Sequence, residues 1–217
     1  DSPATASDTA YVWVESNSTV VSSTNTFSDH SGRAFDLDAS TLDSSGDTFD
    51  SLGTNSWGMG ILAAYKSTIT MTGAEANAVG QPWTMPNYPY APICVRSSTL
   101  HLSNANFSSC GGGYGGVLLA GAATVTVDTV TSDNGDAYQG GFAWLSESDV
   151  SITDVTVTDS SANHGGAIYA TDSTVTGAGL TFDSNQGNHG GDVYTDRYST
   201  VALTDYNATG GTSISAG

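Results

Sequence analysis

The feature that most constrains the fold of this chain is an internal repeat of 25 residues. The tetrapeptide Asn-His-Gly-Gly begins at Asn163 and again at Asn188, one repeat later. Gly-Gly pairs mark the same point of four successive units, at positions 115–116, 140–141, 165–166 and 190–191. A fixed period between about 20 and 50 residues is typical of solenoids, whose units bury their apolar faces only against their neighbours. The chain is therefore predicted to stack repeated coils.

Equivalent positions of successive coils carry the same kind of side chain. At three, ten, twelve and fifteen residues after each coil start the side chain is apolar, with Gly177 as an exception. The column at the third position holds Leu62, Ile93, Leu118, Ala143, Ile168 and Val193. Thr, Ser and Asp alternate with the apolar positions, and a period of two indicates strands. Gly, Asn, Asp and Ser cluster between the strands, where turns require them.

These patterns predict an all-β fold, a right-handed parallel β-helix of about eight coils with three short strands per coil. The handedness follows from the chirality of connections between parallel strands. A single β-helix domain is expected over residues 1–217, with irregular coils at 10–89 and regular coils at 90–209. One step of 31 residues contains an inserted loop at 80–92, which holds four of the five Pro residues. Because proline cannot donate to a strand ladder, this loop is predicted to leave the solenoid.

Two short motifs in one coil resemble those of a known repeat family. "GGAIY" at 165–169 and "FDSN" at 182–185 resemble the paired GGA(I/L/V) and FxxN motifs of the polymorphic outer-membrane protein repeats. Other coils depart from these motifs, with "GGVL", "GGFA" and "GGDV" at the glycines. The resemblance, which extends over 115–209, implies a right-handed parallel β-helix like those of bacterial autotransporter passengers. It also implies a role in adhesion and cell-surface display.

The charge of the chain excludes two classes of partner. There are 4 Lys and Arg residues against 22 Asp and Glu residues, which gives a formal net charge of -18. Binding to nucleic acid or to an anionic membrane needs a basic surface, so we expect neither. No apolar run reaches the roughly 20 residues of a membrane span, and no transmembrane segment is predicted. The start at "DSPATASDTA" is typical of a secreted protein after removal of its signal peptide.

Features of secreted proteins recur along the chain. The two cysteines, Cys94 and Cys110, are predicted to form one disulfide, which would stabilise the fold by about 3 kcal/mol. Glycosylation sequons begin at Asn17, Asn106 and Asn207. Asn207 reaches the column of Asn106 if the last coil carries one extra residue, and both side chains should then face solvent. An extracellular or cell-surface location is therefore expected.

Acidic and amide side chains in the third turn of successive coils make calcium the candidate ion, because calcium prefers six to eight oxygen ligands. The predicted calcium ligands are Asp133, Asn134, Asp136, Asp159 and Asp183. Ordinary turn chemistry is the alternative explanation for the same residues. The repeat also stacks His164 on His189, which suits either a metal ion or a solvent-facing turn. No other cofactor is predicted.

Aromatic residues provide two candidate contact surfaces for a glycan or a partner protein. Trp144, Tyr169 and Tyr194 share the fourth position of three successive coils, between inward positions, and are predicted to form an exposed outward row. Such a row either stacks on sugar rings or stabilises the solenoid beneath a turn. Trp83 and Tyr88 lie in the proline-rich loop, and rigid aromatic loops on regular scaffolds are frequent contact sites.

The chain is predicted to be non-enzymatic. Its 4 basic residues are few for elimination from an acidic polysaccharide, and no carboxylate pair with the spacing of a hydrolase is identifiable. We expect an extracellular structural or adhesive module that contacts itself, other surface or matrix proteins, or glycans. Two alternatives stay open: a glycan-binding or polysaccharide-degrading β-helix, and an ice-binding solenoid. The second rests on outward threonine pairs in an interrupted row, at Thr68 and Thr70, Thr124 and Thr126, and Thr174 and Thr176.

Overall fold

The computed structural model describes residues 10–53, 60–80 and 90–215, and every regular element in these ranges is a β-strand. Residues 81–89 include Trp83, Tyr88 and most of the predicted proline-rich loop, and they lie outside the described residues. All strand pairings within the described ranges are parallel, which agrees with a solenoid in which each coil lies on the one before it.

Strands at the same point of successive coils pair with one another and form three sheets. Sheet A contains β1 (Ala10–Glu15), β4 (Arg33–Asp38), β7 (Leu62–Tyr65), β10 (Ile93–Arg96), β13 (Leu118–Gly121), β16 (Ala143–Ser146), β19 (Ile168–Thr171) and β22 (Val193–Asp196). Sheet B contains β2 (Thr19–Ser23), β3 (Thr26–Ser28), β5 (Thr41–Ser45), β6 (Thr48–Asp50), β8 (Thr68–Thr72), β9 (Glu75–Asn77), β11 (Thr99–Ser108), β14 (Thr124–Asp133), β17 (Asp149–Thr158), β20 (Thr174–Asp183) and β23 (Thr200–Thr209). Sheet C contains β12 (Gly111–Tyr114), β15 (Asp136–Gln139), β18 (Ser161–His164), β21 (Gln186–His189) and β24 (Thr212–Ser215).

The order of the strands confirms the predicted solenoid of stacked coils, with about seven turns between the eight strands of sheet A. In the interior column Ile168 pairs with Ala143 on one side and with Val193 on the other. The predicted step of 31 residues joins Leu62 to Ile93. One detail differs: the sheet B strand of each regular coil has ten residues and is not short, and in the first three coils it is divided in two.

The inward columns form one continuous apolar core that extends from Val14 to Phe182. Val193, Val201 and Leu203 are partly buried and pack against this core. Full burial of a Val, Leu or Phe side chain stabilises a fold by about 1.5–3 kcal/mol. Since each coil covers the apolar residues of its neighbours, this stabilisation belongs to the stack and not to any single coil.

Each regular coil turns at four residues whose backbone is in the left-handed region. In the coil that starts at 140, the first corner comes directly after the strand of sheet A and the second lies within the long strand of sheet B. The third comes after that long strand, and the fourth comes after the strand of sheet C. Their φ values are 52° at Glu147, 51° at Asp154, 50° at Asp159 and 63° at Gly165. Asp tolerates this conformation better than most residues do, which explains its frequency at the corners.

The Gly-Gly turn is the corner at which glycine is required. A Cβ atom added to Gly165 would lie 2.0 Å from the carbonyl oxygen of Ile168, which is part of the strand ladder. Gly179 also has a left-handed backbone, with φ of 66°, but the nearest atom to its added Cβ is the movable Oδ1 of Asp154. The equivalent corner of the two preceding coils holds Thr129 and Asp154, so this second position accepts a side chain.

A ladder of buried serines, absent from our sequence-based expectations, satisfies backbone groups at the corner that follows sheet A. In it the backbone N–H of one coil donates to the serine Oγ of the next. The bonded pairs are Ser40 and Ser67, Ser67 and Ser98, Ala123 and Ser148, Ser148 and Ser173, and Ser173 and Ser199. Ser148 also donates its hydroxyl to the carbonyl oxygen of Ser146, at 2.8 Å. Each hydroxyl of this kind therefore bonds within its own coil and to the preceding one.

Asn185 gives the FxxN motif a physical role. The side chain is fully buried, and its Oδ1 accepts a hydrogen bond from the N–H of Ser160 at 3.0 Å. Its Nδ2 donates to the carbonyl oxygen of Val157 and to Asp192, both at 3.1 Å. Ser160 occupies the same corner one coil earlier and accepts from the N–H of Gly135 at 3.2 Å. A short polar side chain at this corner thus satisfies the backbone of the preceding coil.

The predicted disulfide is wrong, because Cys94 and Cys110 are both free and buried. Cys94 belongs to a small apolar cluster with Ala91 and Leu119, whereas Cys110 belongs to the main core. The two side chains therefore lie in separate clusters, a difference that their spacing in the sequence does not reveal. Burial raises the pKa of Cys94 to about 11 and that of Cys110 to about 12, so both remain neutral thiols at physiological pH.

Replacing Gly165 with Ala should destabilise the solenoid far more than replacing Gly179 with Asn in the same coil. A left-handed Ala costs roughly 1–2 kcal/mol, and at position 165 the overlap with a fixed carbonyl adds to that cost. Asn adopts this conformation more readily, and at position 179 it meets only a movable side chain at closest approach. Chemical denaturation measures both variants. Equal losses would contradict the assignment of the Gly-Gly turn to close backbone approach.

Replacing Ser148 with Ala should lower the free energy of unfolding by about 1–3 kcal/mol, because the N–H of Ala123 loses its acceptor in a buried position. Ser151 is exposed on sheet B, and its replacement by Ala should change stability by no more than about 0.5 kcal/mol. Urea titrations of both variants provide the comparison. A Ser148→Ala variant as stable as the Ser151→Ala control would remove the ladder as a stabilising device.

Candidate functional site

The predicted calcium ligands do not come together. Among the described residues, no group of three or more His, Cys, Asp and Glu side chains is arranged to hold a metal ion. Asp133 and Asp183 share a column but lie two coils apart, with Thr158 between them. Asp136 belongs to a different column on sheet C. Asp159 forms a corner with a left-handed backbone. The prediction fails because residues that are close in sequence are divided between a strand, a corner and the next strand.

These residues instead form hydrogen bonds between neighbouring coils. Thr158 Oγ1 donates to Asp133 Oδ1 at 2.8 Å, and Thr209 Oγ1 donates to Asp183 Oδ1 at the same distance. Ser161 Oγ donates to Asp136 Oδ1 at 2.9 Å. Asn134 donates to the hydroxyl of Ser109 at 3.2 Å, and Asp159 donates its backbone N–H to the carbonyl oxygen of Asp183 at 3.0 Å. The alternative of ordinary turn and strand chemistry therefore accounts for the cluster.

The aromatic residues of sheet A form a stacked column on the outside of the solenoid. The ring centres of Trp144 and Tyr169 are 6.4 Å apart with planes 4° from parallel, and those of Tyr169 and Tyr194 are 5.6 Å apart. Tyr114, at the end of β12, stacks on Trp144 at 5.4 Å. The indole N–H of Trp144 donates to Gln139 at 3.0 Å. The predicted column exists, and it is tied to sheet C residues beside it.

The expected exposure of this column is wrong at its centre. Tyr169 is only 7% exposed, and Trp144 and Tyr194 are partly buried. His164 lies edge-on to both Tyr169 and Tyr194, with ring centres 6.2 and 5.1 Å away. Burial, followed by the nearby Asp196 carboxylate, raises the pKa of Tyr169 to about 12. Because the turn residues cover it, the column offers little open ring face for a sugar to stack on.

The stacked histidines predicted from the repeat are present. The rings of His164 and His189 are 4.8 Å apart and 14° from parallel. Nδ1 of His164 is buried and has no hydrogen-bond partner in the described part of the chain. Burial, and then the proximity of His189, lower the pKa of His164, while Asp196 acts in the opposite direction. The pair therefore belongs to the aromatic packing between sheets A and C.

The three sequon asparagines, Asn17, Asn106 and Asn207, are all exposed. Asn207 pairs with Thr181 in the column that also holds Asn106, as predicted from one extra residue in the last coil. Asn106 lines an open groove of about 630 Å³ on the outside of sheet B, where its Nδ2 donates to Glu75 at 2.7 Å.

A second outer column, also on sheet B, is more regular than the sequence indicates. Strand pairing places threonine at seven of eight successive positions, and Asp149 occupies the other one. The threonine column, as we call it, consists of Thr19, Thr41, Thr68, Thr99, Thr124, Thr174 and Thr200. Thr19, Thr41 and Thr200 could not be assigned to it from a constant repeat, since the first coils differ in length and the last coil carries one extra residue. Thr41 is partly buried and the other six are exposed.

Comparison of the chain with protein-family models, with curated proteins and with solved structures found no match. The resemblance to the polymorphic outer-membrane protein repeats therefore stays a prediction. Across the described residues there is no helix with the length and hydropathy of a membrane span.

Lowering the pH should destabilise the packing around His164. Its folded pKa lies below the unfolded value of about 6.5, so the stability it contributes is present above that pH and is lost as pH falls through the folded pKa. Protonation would place a positive charge beside His189, Tyr138, Tyr169 and Tyr194, with Asp196 as the nearby carboxylate. Thermal unfolding followed between about pH 8 and pH 5 measures the loss.

The matched variants separate this histidine from other titrating groups. His164→Gln introduces the residue found one coil earlier at Gln139, and it should flatten the pH dependence of the melting temperature. His101→Gln, at an exposed site on sheet B, should leave the dependence unchanged. A His164→Gln variant with the full pH dependence of the parent chain would overturn the explanation.

Proposed function

We propose that the chain is a non-enzymatic structural and adhesive module that is displayed outside the cell and acts through its repetitive outer surface. The observation that carries this proposal is the division between one continuous apolar core and outer columns of repeated polar side chains. In such a solenoid, equivalent outer positions of neighbouring coils lie about 4.8 Å apart along the stack. Repetition multiplies weak contacts into stable attachment, which suits cohesion better than turnover.

Hydrogen bonds between outer side chains support a mechanical role. Asn188 Nδ2 donates to Asn163 Oδ1 at 2.6 Å, across two neighbouring strands of sheet C. Asn106, on sheet B, accepts from Thr131 and donates to Glu75, so three successive coils are joined there. Such bonds add lateral stiffness to the backbone ladder, and a stiff rod keeps its contact surface in a fixed geometry.

The surface chemistry supports an extracellular site of action. The sequons at Asn17, Asn106 and Asn207 are accessible, and glycosylation of this kind takes place on the secretory route. The formal net charge of -18 favours solubility of an exposed rod and opposes its aggregation at low salt. The partners that fit are further copies of the chain, other surface or matrix proteins, or glycans.

The arrangement of charges favours this function over polysaccharide degradation. Arg33 is paired with Asp36 at 3.0 Å, and Arg197 lies 3.9 Å from Asp172. A lyase acting on an acidic polymer needs basic side chains that face its substrate. Two of the four basic residues are engaged with carboxylates, which leaves Lys66 and Arg96 for such a role. The aromatic column is largely covered, so it supports stacking on a glycan less well than the sequence predicts.

Microspheres coated with the chain should cohere with one another or attach to surfaces coated with matrix glycans. Because like charges repel, cohesion should strengthen as salt is raised from about 0.01 to 0.15 M, over which the screening length falls from roughly 30 to 8 Å. Optical-trap measurements give the rupture force. Incubation of the same chain with uronate polymers should produce no absorbance from unsaturated ends.

Microspheres that carry the thermally unfolded chain are the control, because they keep its composition and charge but lose the solenoid. They should show weaker or no specific attachment. Turnover of a polymer by the folded chain would contradict the non-enzymatic assignment. Equal attachment by folded and unfolded chains would contradict a role for the repeated surface.

A further inference from the structure

The threonine column differs in its hydrogen bonding from the outer columns on the second half of the long strands of sheet B. Within the described ranges, none of its seven hydroxyls bonds to another group of the protein. The second half of the same long strands behaves differently, since Thr131, Thr158 and Thr209 each donate to a side chain of the neighbouring coil. Several hydroxyls on the second half of these strands are therefore bonded inside the protein, whereas the threonine column leaves its hydroxyls to solvent.

The column continues into a two-dimensional array. Two residues further along each strand, the adjacent outer column holds Thr70, Thr126, Ser151 and Thr176, with His101 and Asp43 among the interruptions. Neighbouring strands lie about 4.8 Å apart and residues i and i+2 about 6.6 Å apart, so the hydroxyls follow a rectangular net. Eight positions at this spacing make a face about 34 Å long.

The scaffold holds this net rigidly. Threonine is β-branched and has restricted rotation about χ1, so identical neighbours on a strand ladder keep the same geometry. Six of the eight residues that follow the column positions are buried in the core: Leu42, Ile69, Leu100, Val125, Val150 and Val175. The two at the ends of the column, Val20 and Val201, are partly buried and pack against the core. Little conformational freedom remains to be lost when the face meets an ordered surface.

We infer that this face binds ice, with the threonine methyl and hydroxyl groups holding a layer of water in register with the crystal. This inference rests on the proposed function and deepens it, because it names the ligand of one repeated surface. Each contact between a hydroxyl and a water molecule is weak, but a crystal presents all sites at once, and many simultaneous contacts give strong attachment. The methyl groups favour the arrangement because ordered water covers them without losing hydrogen bonds.

The composition of the face favours ice over the other ligands of the module. It presents no Lys or Arg to an acidic polymer and no Trp or Tyr on which a sugar could stack. Asp149 is the defect in the column, because a carboxylate at the interface would have to lose hydration against the crystal. This defect provides a variant that should improve binding.

The test is the adhesion of the fluorescently labelled full chain to a growing single crystal of ice, together with inhibition of ice recrystallisation. The parent chain should coat the crystal and suppress recrystallisation. Thr124→Tyr places a bulky ring at the middle of the face and should reduce suppression at equal concentration by about tenfold, while strand propensity is retained. Asp149→Thr completes the column and should increase suppression several-fold.

The matched control is Thr131→Tyr, at an exposed position in the second half of the same strand, where the parent threonine bonds to Asn106, and this variant should act like the parent chain. Circular dichroism melts of all variants establish that each is folded. A parent chain excluded from ice, a Thr124→Tyr variant as active as the parent, or equal losses in the two Tyr variants would each overturn the inference. Microsphere cohesion in the absence of ice, measured in parallel, reports on the proposed function separately, so the failure of one is distinguishable from the failure of the other.

Discussion

The structure depends on the hydrogen bonding of each coil to the next one along its whole path, corners included. The N–H of Gly115, Gly140 and Gly165 donate to Gln139, His164 and His189 of the following coil at 2.8 to 2.9 Å, so even the Gly-Gly turn belongs to the ladder. A coil can join this ladder only if its backbone follows the same path as its neighbour. Gly, Asp, Asn and Ser at the corners are the residues that let the path close. Apolar side chains fill most of the interior, because a polar side chain there needs a hydrogen-bond partner, as buried Asn185 has.

The same constraint determines what the surface can do. A repeated path forces outer side chains into columns, and a column is functional or structural according to what its members bond to. Asp133, Thr158 and Asp183 bond along their column, and the rings from Tyr114 to Tyr194 stack along theirs. The threonine column has no such internal bonds within the described ranges, and its hydroxyls are left to solvent. In this architecture a surface property therefore belongs to a whole column, and a single substitution interrupts the column without changing the course of the backbone.

Much of this was predictable from the spacing of residues, and the rest was not, for identifiable reasons. The period of 25 and the alternation of apolar residues predict the coils, the interior column at Ile168 and the position of Asn207. The predicted disulfide is wrong because the spacing of Cys94 and Cys110 in the sequence does not reveal that their side chains lie in separate apolar clusters. The prediction of a calcium cluster failed because acidic residues that are close in sequence, such as Asp133 and Asp136, lie on different strands on either side of a corner. The buried serines resemble ordinary turn residues, and the ends of the threonine column become visible only when strands are paired across coils of unequal length.

The extra residue in the last coil has a consequence for how such a protein changes over time. Thr171 pairs with Asp196, 25 residues later, whereas Ser173 bonds to Ser199, 26 residues later. The additional residue, Tyr198, is therefore accommodated at the corner between β22 and β23, where it is 93% exposed. The strands after it return to register at once. Corners of this kind are permissive to insertion, which makes them natural points for the evolution of new loops and for the grafting of foreign peptides. A lineage built on this scaffold would therefore diversify at its corners while the faces between them stay unchanged.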